Sequence, residues 1–427
     1  MSKTVIVIGG GLAGLTAANF AANSGCQVTL FEKSQAIGGR AMTSEKSGVR
    51  FNLGPHALYR GGQAFKILRE LGVEFTGGVP KVDGTLAING GRKHSLPGGT
   101  LSLMTTSLFG FSAKLEAARA LTALPKIDAA TINHLTVNEW LNSEIRNEDL
   151  RRLLASLFRL STYANDPDRL SAGVAVAQFQ MALTKSVLYP DGGWQTLVDG
   201  LRAKAEQAGV KIVAEVRVTK VERDVTGRAT GVCLADGSRH SANAVIIAAA
   251  PDDACALIEG GSQTSLCEWA KTAIPVKAAC LDVALEQLPE PLSTFALGID
   301  RPLYLSVHSA VAKLAPTGKA MIHVAKYLGS ENPADPKAVE RELEELLDLV
   351  QPGWQKHLIE RRFLPAMTVV NSLATAEQGG LAGRPGPAVS DVEGLFVAGD
   401  WVGAEGWLAD ASVASGKRAA ELAANAG

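Results

Sequence analysis

Gly9, Gly11 and Gly14 stand between an apolar run at 4–8 and an Ala/Leu-rich stretch at 12–24, and Glu32 lies 18 residues beyond the last of them. The run at 4–8 is short and β-branched, as a strand buried on both faces requires. The stretch at 12–24 reads as a helix, with Gly25 where a left-handed C-terminal cap is wanted. Residues 28–31 read as a second strand, so the unit is strand, helix, strand. Gly9 then permits the tight turn, Gly11 lets backbone approach a pyrophosphate, and Gly14 lets helix and strand pack closely. Leu12 and Ala13 open the helix, whose free N–H groups and positive dipole end face the phosphates. Glu32 ends the second strand, with Lys33 beside it. A carboxylate there accepts hydrogen bonds from ribose hydroxyls. The chemistry these residues point to is dinucleotide binding.

Two further stretches narrow the ligand. Gly38 and Gly39 precede Arg40. Paired glycines bring backbone near a ligand, and Arg40 offsets the charge of a second phosphate or holds a ring carbonyl. Far along the chain, residues 395–398 read as another buried strand, followed by Gly399 and Asp400 and then by a helix from about Asp410. In an open α/β sheet the ligand sits beyond the carboxyl ends of the strands. Asp400 can hydrogen-bond a ribityl chain. Backbone amides near Ala411 and Val413 can stabilise negative charge on a reduced flavin.

These motifs carry a family resemblance. VIGGGLAGL at 7–15, Glu32, GGR at 38–40, LGPH at 53–56, YPDGGWQTLVDGL at 189–201 and LFVAGDW…SGKRAA near the end occur together. The chain resembles the FAD-dependent superfamily that holds phytoene desaturases, protoporphyrinogen oxidase and flavin amine oxidases. The resemblance spans both ends and the middle. It implies FAD, bound non-covalently, because the Cys that anchors flavin in some amine oxidases has no counterpart here. It places Gly54, Pro55 and His56 beside the isoalloxazine and the backbone of Val218 near the adenine.

The elements that must position these residues follow. The expected fold class is α/β. A Rossmann-like FAD-binding domain with a parallel sheet and a β-meander takes 1–75, 188–256 and 385–427. An interleaved α+β substrate domain with an antiparallel sheet takes 76–187 and 257–384. The first insertion reads as mostly helical. The second shows strand runs at 278–284, 294–299, 303–309 and 320–326, then a charged helix at about 336–350. A strand within 361–372 leads toward the flavin, with Arg361 and Arg362 either binding a polar group or lying at the surface.

The flavin carries the redox chemistry, so the protein must supply a dry, shaped site. His56 is a candidate acid/base, or else a histidine satisfied by backbone. Lys277 matches a lysine that holds water against flavin N5 in amine oxidases, or is a solvated strand-edge lysine. Trp401, Trp407 and Leu408 are candidates for the substrate pocket, with Leu408 where an amine oxidase places a cage Tyr. That substitution, and an aromatic content of 5%, lean toward a long apolar substrate. The resemblance then implies a desaturase or dehydrogenase that passes hydride from an isoprenoid-like C–H bond to flavin N5. An external acceptor, oxygen or a quinone, reoxidises the flavin. An amine or amino-acid oxidase is the alternative. A Rab-escort or GDP-dissociation-inhibitor type lipid-binding module is the third reading.

The whole chain bounds these readings. Its 427 residues exceed a single core, and a net charge of −1 with no basic block argues against nucleic-acid binding. Five cysteines without metal-type spacing predict no metal site and read as buried reduced thiols in a reducing compartment, hence a cytoplasmic protein. The N-terminal run lacks a signal-peptide pattern and is too short to span a bilayer. One stretch suggests peripheral membrane contact: Leu101, Leu103, Met104, Leu108, Phe109 and Phe111, with Lys114 and Arg119 at its edge. An ordinary amphipathic core helix accounts for the same pattern.

Overall fold

The computed structural model describes residues 2–81, 84–258, 264–330 and 335–426. A five-stranded parallel sheet takes Lys211–Val213, Gln27–Phe31, Thr4–Ile8, Ala244–Ile247 and Leu395–Val397 in that spatial order. Alternation along the strands decides which side chains face which layer. Val5 and Val7 face the helices Leu12–Asn23, Gln195–Gln207 and Ala409–Asn425. Ile6 and Ile8 face the opposite layer, which includes the antiparallel meander Val218–Arg223, Ala229–Leu234 and Arg239–Ser241. Both faces are thus covered, which is why the strands are apolar throughout.

A seven-stranded sheet forms the second layer system. Its order is Leu358–Val370, Val276–Leu285, Ala320–Tyr327, Leu303–Val307, Phe295–Gly298, Leu86–Asn89 and Arg92–Ser95. Ala279, Leu281, Val283 and Leu285 bury against the helix Pro336–Val350. Val276 and Cys280 face the helical layer built mainly from 100–185. The strand runs expected at 278–326 and the helix at 336–350 therefore form, within two residues at each end. The first insertion is mostly helical, as expected, and adds one hairpin. Its hairpin Leu86–Asn89 and Arg92–Ser95 completes the sheet edge, pairing parallel to Phe295–Gly298.

Asp282 interrupts the apolar strand Val276–Leu285 and is fully buried. Its Oδ1 lies 2.6 Å from Nδ1 of buried His323. Its Oδ2 accepts from Arg362 Nη2 at 2.6 Å. Arg361, next in sequence, points to the other face and pairs with Glu340 and Glu344 on the helix Pro336–Val350. Of the two arginines, only Arg362 turns inward.

The cysteine expectation is corrected. Cys255 and Cys267 form a disulfide, Cα–Cα 5.1 Å, joining the helices Pro251–Ala256 and Ser265–Thr272. Neighbouring helices bring together residues whose spacing alone did not signal a bridge. Cys26, Cys233 and Cys280 are free.

Arg362→Ala is expected to lower stability by about 3–5 kcal/mol, because it strands a buried carboxylate. Arg361→Ala is expected to cost no more than about 1 kcal/mol. Urea unfolding of the two variants checks the contrast.

Candidate functional site

The two glycine loops meet at the carboxyl ends of the parallel strands. Gly38 N–H donates to Gly10 O at 2.9 Å, and Gly10 N–H donates to Glu32 Oε2 at 2.6 Å. Ser34 N–H donates to the other Glu32 oxygen at 2.8 Å. Glu32 thereby fixes the turn while its remaining lone pairs stay available. A Cβ on Gly14 would lie 1.9 Å from Gly9 O, so helix and turn demand glycine there. Gly11 differs. Its φ is an ordinary −79°, and an added Cβ would meet nothing nearer than Gly38 O at 4.0 Å. No protein neighbour requires a glycine at 11, and the space kept there fits the approach of a pyrophosphate. Leu12 and Ala13 begin the helix that starts at this turn. Lys33 points to the surface and pairs with Asp253.

Arg40 carries the site across to the last strand. Its Nη1 donates to Asp400 Oδ2 at 2.7 Å and to Val369 O at 2.8 Å. Asn371 supplies two more donors to Asp400, from Nδ2 at 2.8 Å and from N at 3.2 Å. Asp400 is buried, while Arg40 is about half exposed. Arg384 holds the loop that follows, through Asp400 O at 2.9 Å and Gly406 O at 2.8 Å. Burial pulls its pKa down to about 10, against the pull of Asp400. It stays charged at neutral pH.

The loop 53–56 sits between the two sheets. A Cβ on Gly54 would meet Met367 Cε at 2.4 Å and Cys280 Sγ at 2.9 Å. Pro55 O accepts from the Tyr163 hydroxyl at 3.0 Å. His56 packs beside Trp194 and lies 3.1 Å from Gly54 O through Nδ1. Burial lowers its pKa to about 4, so the imidazole is neutral at pH 7. Asn52 anchors the loop. Its Oδ1 accepts from Trp194 N at 3.0 Å and from Thr43 Oγ1 at 2.7 Å, and its O accepts from Arg362.

Several expected site residues lie elsewhere. Lys277 is exposed, on the sheet face opposite Cys280 and therefore away from the 53–56 loop. Strand alternation sends it there. Trp401 is buried in the layer behind the parallel sheet and donates to Ala249 O at 3.0 Å. It does not line the 53–56 loop. Trp407 does lie in the apolar layer that contains Tyr163, donating to Thr162 O at 2.9 Å. Leu408 packs on that layer as the residue before the last helix, at φ +57°. Val218 starts the meander. Ala411 lies in the first turn of Ala409–Asn425, where N–H groups lack helical partners. Val413 lies beyond that turn, so its N–H belongs to the helix ladder.

Asn52, Asp282, Asn371, Arg384 and Asp410 were not singled out from the sequence for the roles they hold, whereas Arg362 was one of two arginines expected either to bind a polar group or to lie at the surface. Asp282 left a signal, a charge inside the apolar run AACLDVAL. Asp410 left none. Its Oδ1 caps the helix Gln63–Glu70 through Ala64 N–H at 2.7 Å, and its Oδ2 is buried without a partner. Gly62 makes room for it. Burial raises its pKa to about 6.

Comparison with known proteins follows this geometry. The model of the family "Flavin containing amine oxidoreductase" matches residues 12–424. The chain belongs to that family. Its cofactor is FAD. Among curated relatives, phytoene desaturase of Cercospora nicotianae is 28% identical over 57% of this chain and 44% of its own length. Coproporphyrinogen III oxidase of Bacillus subtilis is 26% identical over 58% of this chain and 60% of its own length. The matches span about half the length of these relatives. An oxidoreductase structure from Methanosarcina mazei superposes with a TM-score of 0.77 at 19% identity, over 98% of this chain and 99% of that one. That likeness shows the fold.

Gly14→Ala is expected to cost about 2–4 kcal/mol in urea unfolding of the apoprotein. Gly11→Ala is expected to leave that stability unchanged and to lower the FAD bound per protein, read from visible absorbance. For Asp410 the folded carboxyl titrates near 6 and the unfolded one near 4. Between those values the native state holds the extra proton, so stability falls as pH rises through the window. Asp410→Asn keeps the acceptor and removes the charge. Its melting temperature is expected to match the wild type below about pH 4 and to exceed it above pH 6, by up to about 3 kcal/mol of stability.

Proposed function

We propose that the chain is an FAD-dependent oxidoreductase that removes hydride from a C–H bond of an apolar, isoprenoid-like substrate. The observation that carries this reading is the apolar layer that reaches the 53–56 loop through Cys280 and Tyr163. Cys280, Leu297, Tyr304, Tyr327, Val370 and Trp407 all bury there. The bound flavin supplies the two-electron acceptor. The residues that would hold it are those of the two glycine loops, Glu32, Arg40, Gly399 and Asp400. The first-turn amides at Ala411 would face developing negative charge. His56, neutral at pH 7, would shape the pocket and accept a hydrogen bond rather than carry charge. The dry wall would exclude water from the reacting carbon. On this reading the parallel-sheet pieces bind FAD and the antiparallel-sheet pieces bind substrate, with oxygen or a quinone as the external acceptor.

An apolar substrate also calls for a route from lipid. Among the described residues, no helix is long and apolar enough to cross a membrane. Leu103, Leu108 and Phe109 are buried in the core, which removes them from the surface expected of that stretch. The side chain of Leu101 lies outside the described residues. Phe111 is 79% exposed and Met104 56%, and Leu115 joins them, with Lys114 alongside. We infer that this smaller patch rests on the bilayer surface. Phe111→Ser with Met104→Ser is expected to reduce liposome co-sedimentation severalfold without loss of FAD.

Anaerobic bleaching of the flavin band tests the main proposal. One panel holds polyenes and isoprenoids in liposomes, the other primary amines and amino acids. Bleaching by the first panel alone is expected. Bleaching by amines alone would replace this reading with an amine oxidase.

A further inference from the structure

The apolar layer under the 53–56 loop holds two donors that have no hydrogen-bond partner among the described residues. The Tyr327 hydroxyl is buried without a hydrogen-bond partner. So is the Nε–H of Arg159. Arg159 spends its other donors on neutral oxygens. Nη2 reaches Gly298 O at 3.1 Å and Arg301 O at 3.4 Å, and Nη1 reaches Asn165 Oδ1 at 3.5 Å. Among the described residues no carboxylate pairs with it. Burial lowers its pKa, and the Tyr327 phenol works against that shift. Burial raises the Tyr327 pKa, so its hydroxyl keeps its proton and donates.

These donors sit on a row of rings. The guanidinium carbon of Arg159 lies 5.9 Å from the Tyr327 ring centroid. Tyr163 stands edge-on to Tyr327 at 5.7 Å, and Tyr304 lies 6.5 Å away. Tyr163 is the left-handed cap, φ 62°, of the helix Glu148–Thr162, and that bend delivers its hydroxyl to Pro55 O. The row therefore runs from Arg159, whose guanidinium touches the exposed turn at Arg301, inward to the loop beside which the flavin ring is proposed to lie. Buried polar groups are nearly always satisfied, and an unmet one asks for a missing partner.

We propose that Tyr327 and Arg159 recognise a hydrogen-bond-accepting oxygen, a carbonyl or carboxylate, on an otherwise apolar substrate. This rests on the reading that the layer is the substrate wall. The guanidinium only donates, and the phenol is held protonated, so the complement is an acceptor. A pure hydrocarbon leaves both donors unmet. A protonated amine meets a like charge at Arg159. The row sets the polarity of binding, with the oxygenated end toward Arg159 and the reacting C–H toward Pro55.

The test uses FAD-loaded protein and three probes of one chain length: all-trans-retinoic acid, retinal and the parent hydrocarbon. Equilibrium dialysis reads binding with or without turnover. The acid and aldehyde are expected to bind at least tenfold more tightly than the hydrocarbon. Tyr327→Phe and Arg159→Lys are each expected to remove most of that preference, read as the ratio of acid to hydrocarbon affinity, with FAD content unchanged. Equal binding of all three probes overturns the proposal and leaves the substrate-wall reading standing. A preference that survives both substitutions also overturns it, since packing alone then explains the two side chains. Failure of all three probes to bind a fully FAD-loaded protein overturns the wall reading and this proposal together.

Discussion

The pairing of Asp282 with Arg362 holds the two layer systems in register. A buried carboxylate in the middle of a strand is tolerated only when its charge is answered in place. Arg362 answers it from the neighbouring strand and extends to Asn52 O. Asn52 in turn joins Thr43 and Trp194. Through one ion pair the antiparallel sheet sets the position of the 53–56 loop, and the loop sets His56 and Pro55. A site assembled from segments so distant along the chain depends on such fixed points, and Arg40 supplies another by donating to both Val369 O and Asp400.

The strand-helix-strand unit at the glycine turn was legible in the sequence because its constraints are local. Gly9, Gly14 and Glu32 act within one strand-helix-strand unit, where spacing implies distance. The parallel strands were legible for a related reason, since burial on both faces writes an apolar run. The antiparallel-sheet half was much less legible. Lys277 looked suitable by a short motif, yet the alternation of its strand turns it to the far face. Trp401 is one residue from Asp400 and still ends in a different layer. Arg361 and Arg362 could not be told apart from spacing alone, because which of the two faces inward is a matter of register with Asp282. Cys255 and Cys267 meet only through helix packing.

Composition misled in one respect. Aromatic residues make up 5% of the chain, which suggested a site poor in rings. The fold gathers three of the five tyrosines into one place: Tyr163, Tyr304 and Tyr327 meet within the layer under the 53–56 loop. Local density, not the average, determines what a pocket can recognise. The lean toward an apolar substrate stands on the apolar, partly aromatic lining rather than on a shortage of rings.

The interleaving also has a consequence for biosynthesis. The helix Ala409–Asn425 packs on Leu12–Asn23 so closely that a Cβ on Gly416 would lie 2.4 Å from Ala13 O, and Lys3 Nζ donates to Ala424 O at 2.9 Å. The glycine turn leaves the ribosome early, and Asp400 with the last helix leaves it some tens of seconds later at ordinary elongation rates. Throughout that interval the first helix lacks its packing partner. Docking of that helix therefore closes the packing around Leu12–Asn23 only at the end of that interval.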